Sequence, residues 1–433
     1  MKSLLRILTA IQFLLLLPMG FYALEYTDVY SDVTEAFSFF VDPNEGLTSF
    51  RTLLIPSGGK AESMGNAFTG LADDVSYIEY NPAASSVIDA TQIGLYHNAW
   101  IADTSLDTLS FTTRFNNLGI GASIKCLYLS FSEYNYFGEN TSAGYYSETI
   151  GAFNVSYNFL AGYDFKGLAA GASFKTAYRG MPDYADNETD QVIPDSGLLQ
   201  SGIAFMGDLG LQTRLNAFKF YSSREANMQI GLSAMNFGAG FTSLGSELGV
   251  VLDDPLPSKV SLGFSYKPVR PVILVLELSQ PVHLQNIALS GPFSAGTGIS
   301  VQATSFFAVH GGFFLSGGSP RFSLGSEFLL KNYLINVNYT LDFTSSLHPL
   351  NRISLSVKVD LGDKGRQETR DKVDELYAKG LQYYYNGDLN EAIVYWNDAL
   401  SLDPGFDPAK RGIESAELSL ALQLRIIEIQ RLE

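Results

Sequence analysis

Residues 333–343 read YLINVNYTLDF, and apolar and polar side chains alternate along the whole stretch. The apolar set is Ile335, Val337, Tyr339, Leu341 and Phe343. The polar set is Asn336, Asn338, Thr340 and Asp342. Because successive side chains of a β-strand point to opposite faces, this pattern predicts a strand with one apolar side and one polar side.

The same alternation recurs along the chain, for example in TIGAFNVSYNF (149–159), KVSLGFSYK (259–267) and RISLSVKVDL (352–361). The pattern predicts about fourteen strands in total. They are expected at 92–99, 107–115, 118–131, 145–159, 167–179, 201–214, 227–237, 258–267, 271–279, 296–304, 306–315, 321–330, 333–343 and 351–361. Residues 91–361 are therefore expected to form an all-β domain.

Two architectures use strands of this kind: a soluble sandwich, which buries the apolar faces between two sheets, and a transmembrane barrel, which turns them toward lipid. The connections favour the barrel, because they mostly alternate in length. The long ones lie near 132–144, 180–200, 238–257 and 280–295, and the tight ones at 116–117, 268–270, 305 and 331–332. Outer-membrane barrels join short turns at one end to longer loops at the other. The segment 215–226 departs from this rule and marks either a miscounted strand or a periplasmic excursion.

The composition agrees with an exported barrel. Lys and Arg number 28 against 45 Asp and Glu, and the formal net charge of −17 disfavours nucleic acid as a partner. Charged residues make up only 17% and aromatic residues 13%, whereas soluble domains carry about 25% charged residues. The single cysteine, Cys126, excludes an intrachain disulfide framework and a CxxC metal site.

The N-terminus resembles a secretory signal peptide. MKSLLR supplies two positive charges and the apolar run ILTAIQFLLLLPMGFYA follows, so residues 1–23 are expected to be removed on export. A buried apolar helix is the alternative. Residues 24–90 then form an N-terminal segment ahead of the barrel.

Catalytic and metal motifs are thinly represented. His97, His283, His310 and His348 are scattered without zinc-ligand spacing, and the sequence predicts no enzyme activity and no cofactor. The alternative of a membrane-embedded Ser-His hydrolase rests on His97 alone. Small-residue motifs occur at 121–123, 171–173, 231–233 and 263–265, but none completes GxSxG. They are interpreted as small residues that face a lumen or permit close backbone approach.

Residues 58–84 read GGKAESMGNAFTGLADDVSYIEYNPAA. The spacing of Met64, Phe68, Leu71 and Val75 predicts one stripe of a short helix, and Asn81-Pro82 predicts a turn. The adjacent Asp73 and Asp74 are interpreted as a helix end or turn rather than a cation site. Placed before the strands, this segment is expected to plug the barrel lumen as a hatch; a packed periplasmic cap without a ligand role is the alternative.

The pattern changes after the last strand. Residues 362–372 are expected to be a polar linker, and helical spacing follows over 373–433. Residues 373–406 resemble one tetratricopeptide repeat. The repeat pattern places small residues at Gly380, Ala392 and Ala399 and large ones at Leu376, Tyr383 and Trp396. The large residues are the candidates for binding a periplasmic protein, while a plain helical hairpin is the alternative.

The run at 58–84, with AFTGLADD and its closing NPA, resembles the start of FadL-like outer-membrane proteins. It is most similar to the PorV-like branch and to an uncharacterised spirochaete family that joins such a barrel to C-terminal repeats. The resemblance implies a fourteen-stranded barrel with an N-terminal hatch that takes up long-chain fatty acids or other hydrophobic molecules. The hatch NPA maps onto Asn81, Pro82 and Ala83. PorV-like members serve protein secretion and surface attachment instead of uptake.

The leading hypothesis is therefore a passive outer-membrane transporter, embedded in outer-membrane lipid with its helical domain in the periplasm. Its candidate hatch and ligand contacts are Met64, Phe68, Leu71, Asn81, Pro82 and Ala83. The alternative is a barrel-anchored scaffold, or a secretion-associated protein, that recruits periplasmic partners through residues 373–433. A third hypothesis is a surface adhesin acting through the loops at 180–200 and 238–257.

Overall fold

The computed structural model describes most of the chain after residue 47. The described ranges are 48–100, 104–134, 136–184, 191–221, 223–242, 250–251, 254–343 and 351–432. The predicted signal peptide at 1–23 lies outside the described residues, as does the first part of the segment predicted at 24–90. All structural statements below concern the described residues.

Fifteen antiparallel strands form one sheet. They are β1 (Gln92–Ala99), β2 (Ser105–Phe115), β3 (Leu118–Tyr134), β4 (Asn140–Phe159), β5 (Leu168–Gly180), β6 (Gly202–Leu215), β7 (Met228–Thr242), β8 (Val250–Val251), β9 (Lys259–Val269), β10 (Val272–Pro281), β11 (Ser294–Thr304), β12 (Phe307–Ser316), β13 (Ser319–Leu330), β14 (Tyr333–Asp342) and β15 (Arg352–Asp360). Each of the fourteen predicted strands overlaps one of these, and the added β8 is only two residues long.

The sheet closes on itself. Strand β1 pairs with β15, β6 pairs with β7 and β7 pairs with β9, so every strand except β8 has at least two antiparallel neighbours. The short β8 pairs only with the end of β7. The prediction of a fourteen-stranded antiparallel barrel is confirmed, and closure leaves the ring without a free edge.

The alternation of side chains also has the predicted direction. On β15, Ser354, Ser356 and Lys358 are buried inside the barrel, whereas Ile353 and Leu355 are 57% and 43% exposed on the outside. The other strands follow the same rule. A soluble sandwich would bury the apolar faces, so the exposed apolar exterior excludes that alternative.

The two ends of the barrel differ. At the end that we call the short-turn end, the connections include residues 116–117, 270–271, 305–306 and 331–332. The opposite, long-loop end carries the connections at 181–201 and 282–293. The β6–β7 connection at 216–227 is the long exception at the short-turn end, and it contains no additional strand among the residues described.

Residues 48–90, which we call the inner segment, lie within the barrel. They contain helix α1 (Gly59–Ser63) and short 3-10 helices at Arg51–Leu54, Val75–Glu79 and Pro82–Ser86. The predicted helix through Met64 and Val75 is wrong, because α1 ends at Ser63. Positive φ angles of 66° at Gly65 and 55° at Asn66 turn the backbone there.

Strand glycines let the inner segment approach the barrel wall. A Cβ atom built on each of them would lie within 3 Å of an atom of the inner segment. They are Gly94, Gly119, Gly121, Gly171, Gly210, Gly231, Gly263, Gly296, Gly298, Gly312 and Gly325. Four of them open the small-residue motifs at 121–123, 171–173, 231–233 and 263–265, which explains those motifs by close packing rather than by catalysis.

Helices occupy one loop and the C-terminus. Helix α2 (Ser196–Gln200) lies in a long-loop connection, and α3 (Arg366–Asn386), α4 (Leu389–Leu402) and α5 (Asp407–Leu432) follow the barrel. Helix α3 begins within the segment expected to be a linker at 362–372. Of the helices described, none combines the length and apolar character needed to cross a membrane. The predicted C-terminal helices are thus present, and their assignment as a tetratricopeptide repeat stays a prediction.

Candidate functional site

A cavity of about 740 Å³ opens at the long-loop end of the barrel. Its floor is formed by the inner segment, including Leu53, Ile55 and Tyr80, and its walls by β9–β14 and their loops. Apolar lining residues are Leu53, Leu54, Ile55, Pro56, Trp100, Pro255, Leu256, Pro257, Pro281, Val282, Leu289, Pro292 and Phe314. A volume of this size fits a small organic molecule, and the walls offer it mainly apolar contacts.

The carboxylates in the lining are engaged by the protein itself. Glu79 accepts hydrogen bonds from the Ser57 hydroxyl at 2.5 Å and from Lys125 Nζ at 3.0 Å. Glu277 accepts bonds from the backbone N–H groups of Phe68 at 2.9 Å and Thr69 at 2.8 Å. Both acids therefore hold the inner segment in place, and neither is free to bind a ligand cation.

A buried ion network fixes α1 to the wall beside the cavity. Arg352 Nε donates to Glu62 Oε1 at 2.6 Å and Arg352 Nη1 to Asp342 Oδ2 at 2.7 Å. Glu62 Oε2 also accepts from the Ser354 hydroxyl at 3.0 Å. Glu62 and Arg352 are each at most 3% exposed. Because a buried charge is costly without a partner, Glu62 and Arg352 hold each other in one position.

Lys259 is the exception among the charged lining groups. It lies at the start of β9 and borders both the large cavity and a smaller one of about 30 Å³ beneath it. No hydrogen bond or ion pair joins its ammonium to another residue in the described part of the chain. The charged groups in its surroundings are Glu277, Lys175, Glu79 and Asp208. Its three N–H donors are thus available to water or to a ligand.

The adjacent aspartates serve structure. Asp73 accepts from Lys60 Nζ at 2.6 Å, and Asp74 from Lys358 Nζ on β15 at 2.6 Å. Asp74 also caps the 3-10 helix Val75–Glu79 by accepting from Ser76 N at 2.9 Å. Asp74 thus has the helix-end role expected for the pair, while Asp73 forms an ion pair with Lys60. Within the ranges that the structure describes, no group of three or more His, Cys, Asp or Glu side chains is arranged to hold a metal ion.

The predicted ligand contacts Met64, Phe68 and Leu71 share one location. All three side chains are buried in the apolar core of the inner segment, with Tyr77 and Ile78. The large cavity is lined by other residues of the same segment, such as Asn66 and Tyr80. Phe68 packs edge-on against the Tyr80 ring at a centroid distance of 5.4 Å. Direct contact of Met64, Phe68 and Leu71 with a ligand stays a prediction.

The predicted NPA turn is an anchor between the inner segment and the wall. Asn81 Nδ2 donates to the carbonyl oxygens of Thr69 at 2.9 Å and Leu211 at 3.1 Å, and its Oδ1 accepts from Ala83 N at 3.1 Å. The carbonyl oxygen of Pro82 accepts from Asn154 Nδ2 at 2.9 Å. Residues 81–83 are fully buried, so this turn ties the segment to the barrel on two strands.

The candidate partner residues lie within the helical domain. Trp396 is 1% exposed in its core, and its indole N–H donates to the Tyr377 carbonyl at 3.2 Å. Leu376 and Tyr383 are partly buried against the same core. Their packing explains the repeat-like pattern, while binding of a partner through them stays a prediction.

Sequence reasoning missed Lys259 and Glu277 as site residues. Each is a charge at an inward position of an otherwise apolar or small-residue alternation, in KVSLGFSYK and in VILVLELSQ. Inward charges in a barrel strand need a partner or a ligand. A charged residue at an inward position was therefore the sequence signal that could have identified Lys259 and Glu277. His97, by contrast, is half-exposed and contacts Asp107 with its Nδ1 at 2.7 Å.

Relatives and solved structures resemble this chain over most of its length. A UPF0164 protein of Treponema pallidum (strain Nichols) is 29% identical over 391 residues, covering 88% of this chain and 85% of the relative. A second UPF0164 protein of the same organism is 26% identical and covers 87% of this chain and 77% of its own length.

Among solved structures, the Ralstonia pickettii toluene transporter TbuX has a TM-score of 0.47 at 13% identity and covers 70% of this chain and 98% of its own. The Pseudomonas putida toluene transporter TodX has a TM-score of 0.47 at 12% identity and covers 70% and 96%. The family model described as "Uncharacterised protein family (UPF0164)" matches residues 28–364. This match spans most of the chain and includes the whole barrel, as the resemblance to an uncharacterised spirochaete family led us to expect. The chain belongs to the UPF0164 family.

Proposed function

We propose that this protein is a passive transporter of hydrophobic small molecules across the outer membrane. The observation that carries the proposal is the cavity of about 740 Å³ with apolar walls, open at the long-loop end and floored by the inner segment. Burying an alkyl chain there gains about 0.8 kcal/mol for each CH₂ removed from water. Many weak contacts of this kind let a ligand both enter and leave.

The proposed location follows from the barrel surface. Exposed Leu, Ile, Val and Phe side chains cover the outer faces of the strands, while polar groups such as Asn154 and Lys358 point inward. Such a surface is stable in lipid and aggregates in water. Barrels of this kind place long loops outside the cell and short turns in the periplasm. By the same rule we propose that α3–α5 lie in the periplasm, because they follow β15 at the short-turn end.

The finer proposal is that the ligand is a long-chain fatty acid. Lys259 supplies a cation with unused donors at the inner part of an apolar cavity. A carboxylate at one end of an alkyl chain would satisfy those donors, because hydrogen bonds between ionised groups are stronger than neutral ones. A hydrocarbon without an acid group would leave the ammonium without a protein or ligand partner.

Binding of matched ligands tests the proposal. Purified full chain in nanodiscs is titrated with radiolabelled palmitate and with its methyl ester, which has the same alkyl chain without the charge. We expect saturable binding of both, with palmitate binding about tenfold more tightly. Lys259→Met is expected to remove the preference for the acid, whereas Lys259→Arg keeps it.

The outcomes separate the two parts of the proposal. Equal binding of acid and ester by wild type, unchanged in Lys259→Met, would refute the fatty-acid assignment and leave a hydrocarbon transporter. Absence of saturable binding for both molecules would refute the transporter itself. Lys331→Met, at the opposite end of the barrel in the β13–β14 turn, is the control for loss of a positive charge.

A second candidate function is a scaffold that binds a periplasmic protein. The observation that favours it is the last part of α5, where large apolar side chains are more than half exposed. They are Leu418, Leu422, Leu424, Ile426, Ile427 and Ile429. An exposed apolar surface of this extent is typical of an interaction site.

The scaffold is tested with full-length variants in membranes. Replacing Leu424 and Ile427 by Ser is expected to abolish the cross-links that the wild-type chain forms with an envelope protein. Palmitate binding is expected to stay unchanged. Identical cross-linked species in wild type and variant would count against the scaffold. The exposed pair Glu414 and Glu417 on the same helix, replaced by Gln, is the matched control.

A further inference from the structure

A cluster of basic side chains lies at the short-turn end, where the barrel lumen meets α3. It consists of Arg114 at the end of β2, Lys166 in the β4–β5 turn, Arg214 at the end of β6, and Arg366 and Arg370 in the first turns of α3. We call these five residues the basic cluster. The chain has a net charge of −17, so this concentration of positive charge is opposite in sign to the chain as a whole.

Asp89, at the end of the inner segment, holds part of the cluster together. Its Oδ1 accepts from Arg114 Nη1 at 3.2 Å and from Arg370 Nη2 at 2.9 Å. Arg366 donates to the backbone carbonyl oxygens of Arg114 at 3.1 Å and Asp89 at 2.8 Å. Three parts of the chain, namely the inner segment, β2 and α3, therefore converge on one carboxylate.

The remaining two members lie beside this group. Arg214 Nη2 donates to the Lys166 carbonyl at 3.4 Å. Burial lowers the pKa of the Lys166 ammonium, and the charges of Arg224, Arg214 and Arg370 lower it further. Burial raises the pKa of Asp89, but the hydrogen bond from Arg370 and the charges of Arg370, Arg114 and Arg214 outweigh it, so the net direction is downward. Arg114, Lys166, Arg214 and Arg370 are therefore neighbours, and Arg366 joins them through its hydrogen bonds to the Arg114 and Asp89 carbonyl oxygens.

The cluster has more positive charge and more donors than its protein partners use. The carboxylates that face it are Asp89, Glu225 and Asp363, three against five cations. Asp363 accepts backbone N–H groups at the start of α3, from Gly365 at 3.0 Å and Gln367 at 2.6 Å, and Glu225 is exposed. The Nε atoms of Arg114 and Arg366 are buried without a hydrogen-bond partner. Buried guanidinium donors without acceptors are costly unless a ligand or water supplies them.

We propose that the basic cluster binds a phosphate group between the barrel mouth and α3. The position between Arg114 and Arg370 already holds a carboxylate, that of Asp89, and the unused donors of Arg114, Arg366 and Arg214 match an anion with more oxygens and more charge. Planar guanidinium groups bind phosphate in this way, often with two parallel hydrogen bonds. The phosphate has two sources, free phosphate in solution or the headgroup of a phospholipid at the rim of the barrel.

The experiment measures phosphate binding by the full chain. In nanodiscs of phosphatidylcholine, inorganic phosphate is titrated by calorimetry; in parallel, native mass spectrometry detects phosphatidylglycerol retained after purification. Arg214→Gln is expected to weaken the binding about tenfold or more, and Arg214→Lys less. Arg270→Gln, an exposed arginine in the β9–β10 turn at the same end, is expected to bind like wild type.

The two arms identify the source. Saturable binding of inorganic phosphate assigns the site to the free anion. Retention of phosphatidylglycerol without binding of inorganic phosphate assigns the site to a lipid headgroup. Either result supports the proposal if Arg214→Gln weakens it. Wild type that shows neither, or Arg214→Gln that equals wild type, overturns it. Heat-shifted gel migration verifies that each barrel is folded, and Lys166→Gln in the β4–β5 turn is the second variant should Arg214→Gln not fold.

Discussion

At the scale of single residues, the inner segment fits closely against the barrel wall because glycines of the wall have no Cβ atom. At Gly231 a Cβ atom would lie 2.0 Å from the carbonyl oxygen of Thr69, and at Gly171 it would lie 2.2 Å from that of Pro82. Both contacts are with backbone, which cannot rotate away as a flexible side chain does. Glycine at these positions therefore sets the distance at which the inner segment packs against the barrel wall.

Gly231→Val is expected to force the inner segment away from the wall. Overpacking of a well-packed interior costs typically about 1–3 kcal/mol. We expect a lower urea midpoint for the reconstituted barrel and larger single-channel conductance in planar bilayers. Gly151→Val is the control, since a Cβ atom there meets only the Thr176 hydroxyl at 3.5 Å. Wild-type conductance and stability in Gly231→Val would contradict close packing of the inner segment at this position.

Glu62 is expected to contribute strongly to stability through Arg352. Breaking one buried ion pair costs about 3–5 kcal/mol, and Glu62→Ala leaves Arg352 with Asp342 as its remaining carboxylate, so the loss is expected at the lower end of this range. Glu62→Ala should therefore lower the free energy of unfolding by about 3 kcal/mol in urea titrations. The double variant Glu62→Met with Arg352→Met should lose much less, because Asp342 keeps its ion pair with Arg321. A double variant as unstable as Glu62→Ala would show that the loss does not come from the buried charge of Arg352.

These residues also show what could be predicted from the sequence. Alternation identified the inward Asn336, Asn338 and Thr340, because strand periodicity is local. The partner of Arg352 could not be predicted, since Glu62 is 290 positions from Arg352 and only closure of the barrel brings them together. A helix was expected through Met64 from the apolar spacing. The backbone instead turns at Gly65, where it packs against the backbone of β12 at Phe313.

At the scale of elements, the helical domain has its own core. Trp396 from α4 packs against α3 and α5, where Gly380 and Gly412 leave room for the indole. Arg224 in the β6–β7 connection bonds to Asp374 of α3 at 2.9 Å, and the rings of Tyr163 and Phe406 meet at a centroid distance of 5.0 Å. The domain is thus folded around Trp396 and docked on the turns of the barrel.

Trp396→Ala is expected to unfold the helical domain and leave the barrel intact. Truncation of a buried tryptophan costs about 3–5 kcal/mol, which is large for three helices. Limited proteolysis should then remove residues beyond 366, while heat-shifted migration of the barrel persists. Val394→Ala, at an exposed position of the same helix, is expected to resist proteolysis like wild type. A protease-resistant Trp396→Ala would show that the core does not depend on this side chain.

Docking of α3 on the barrel is expected to weaken in acid. The folded-state pKa of Asp89 is lowered, so its bond to Arg370 is fully present above the unfolded carboxyl pKa of about 4 and is lost as pH falls through the lower folded value. The distribution of distances between one spin label at Ser223 and another on α3 should broaden below about pH 4. In Asp89→Asn, the broadening caused by loss of the bond between Asp89 and Arg370 should disappear. An identical pH profile in both proteins would show that Asp89 is not the group responsible.

At the scale of the whole molecule, one barrel combines three regions with separate tasks. The outer surface meets lipid, the long-loop end holds the apolar cavity, and the short-turn end carries the basic cluster and the helices. The inner segment lies between the two ends and contacts strands around the circumference. In the proposed transporter, passage of a ligand from the cavity would require movement of this segment or an exit through the wall.

The measurement that tests the central proposal most directly is the flux of a labelled long-chain fatty acid into liposomes containing the full chain. We expect uptake above that of protein-free liposomes, and a reduced rate in Ser316→Trp, which places a large side chain in the lining of the cavity. Flux equal to protein-free liposomes, or flux unchanged by Ser316→Trp in a folded barrel, would contradict transport through this cavity.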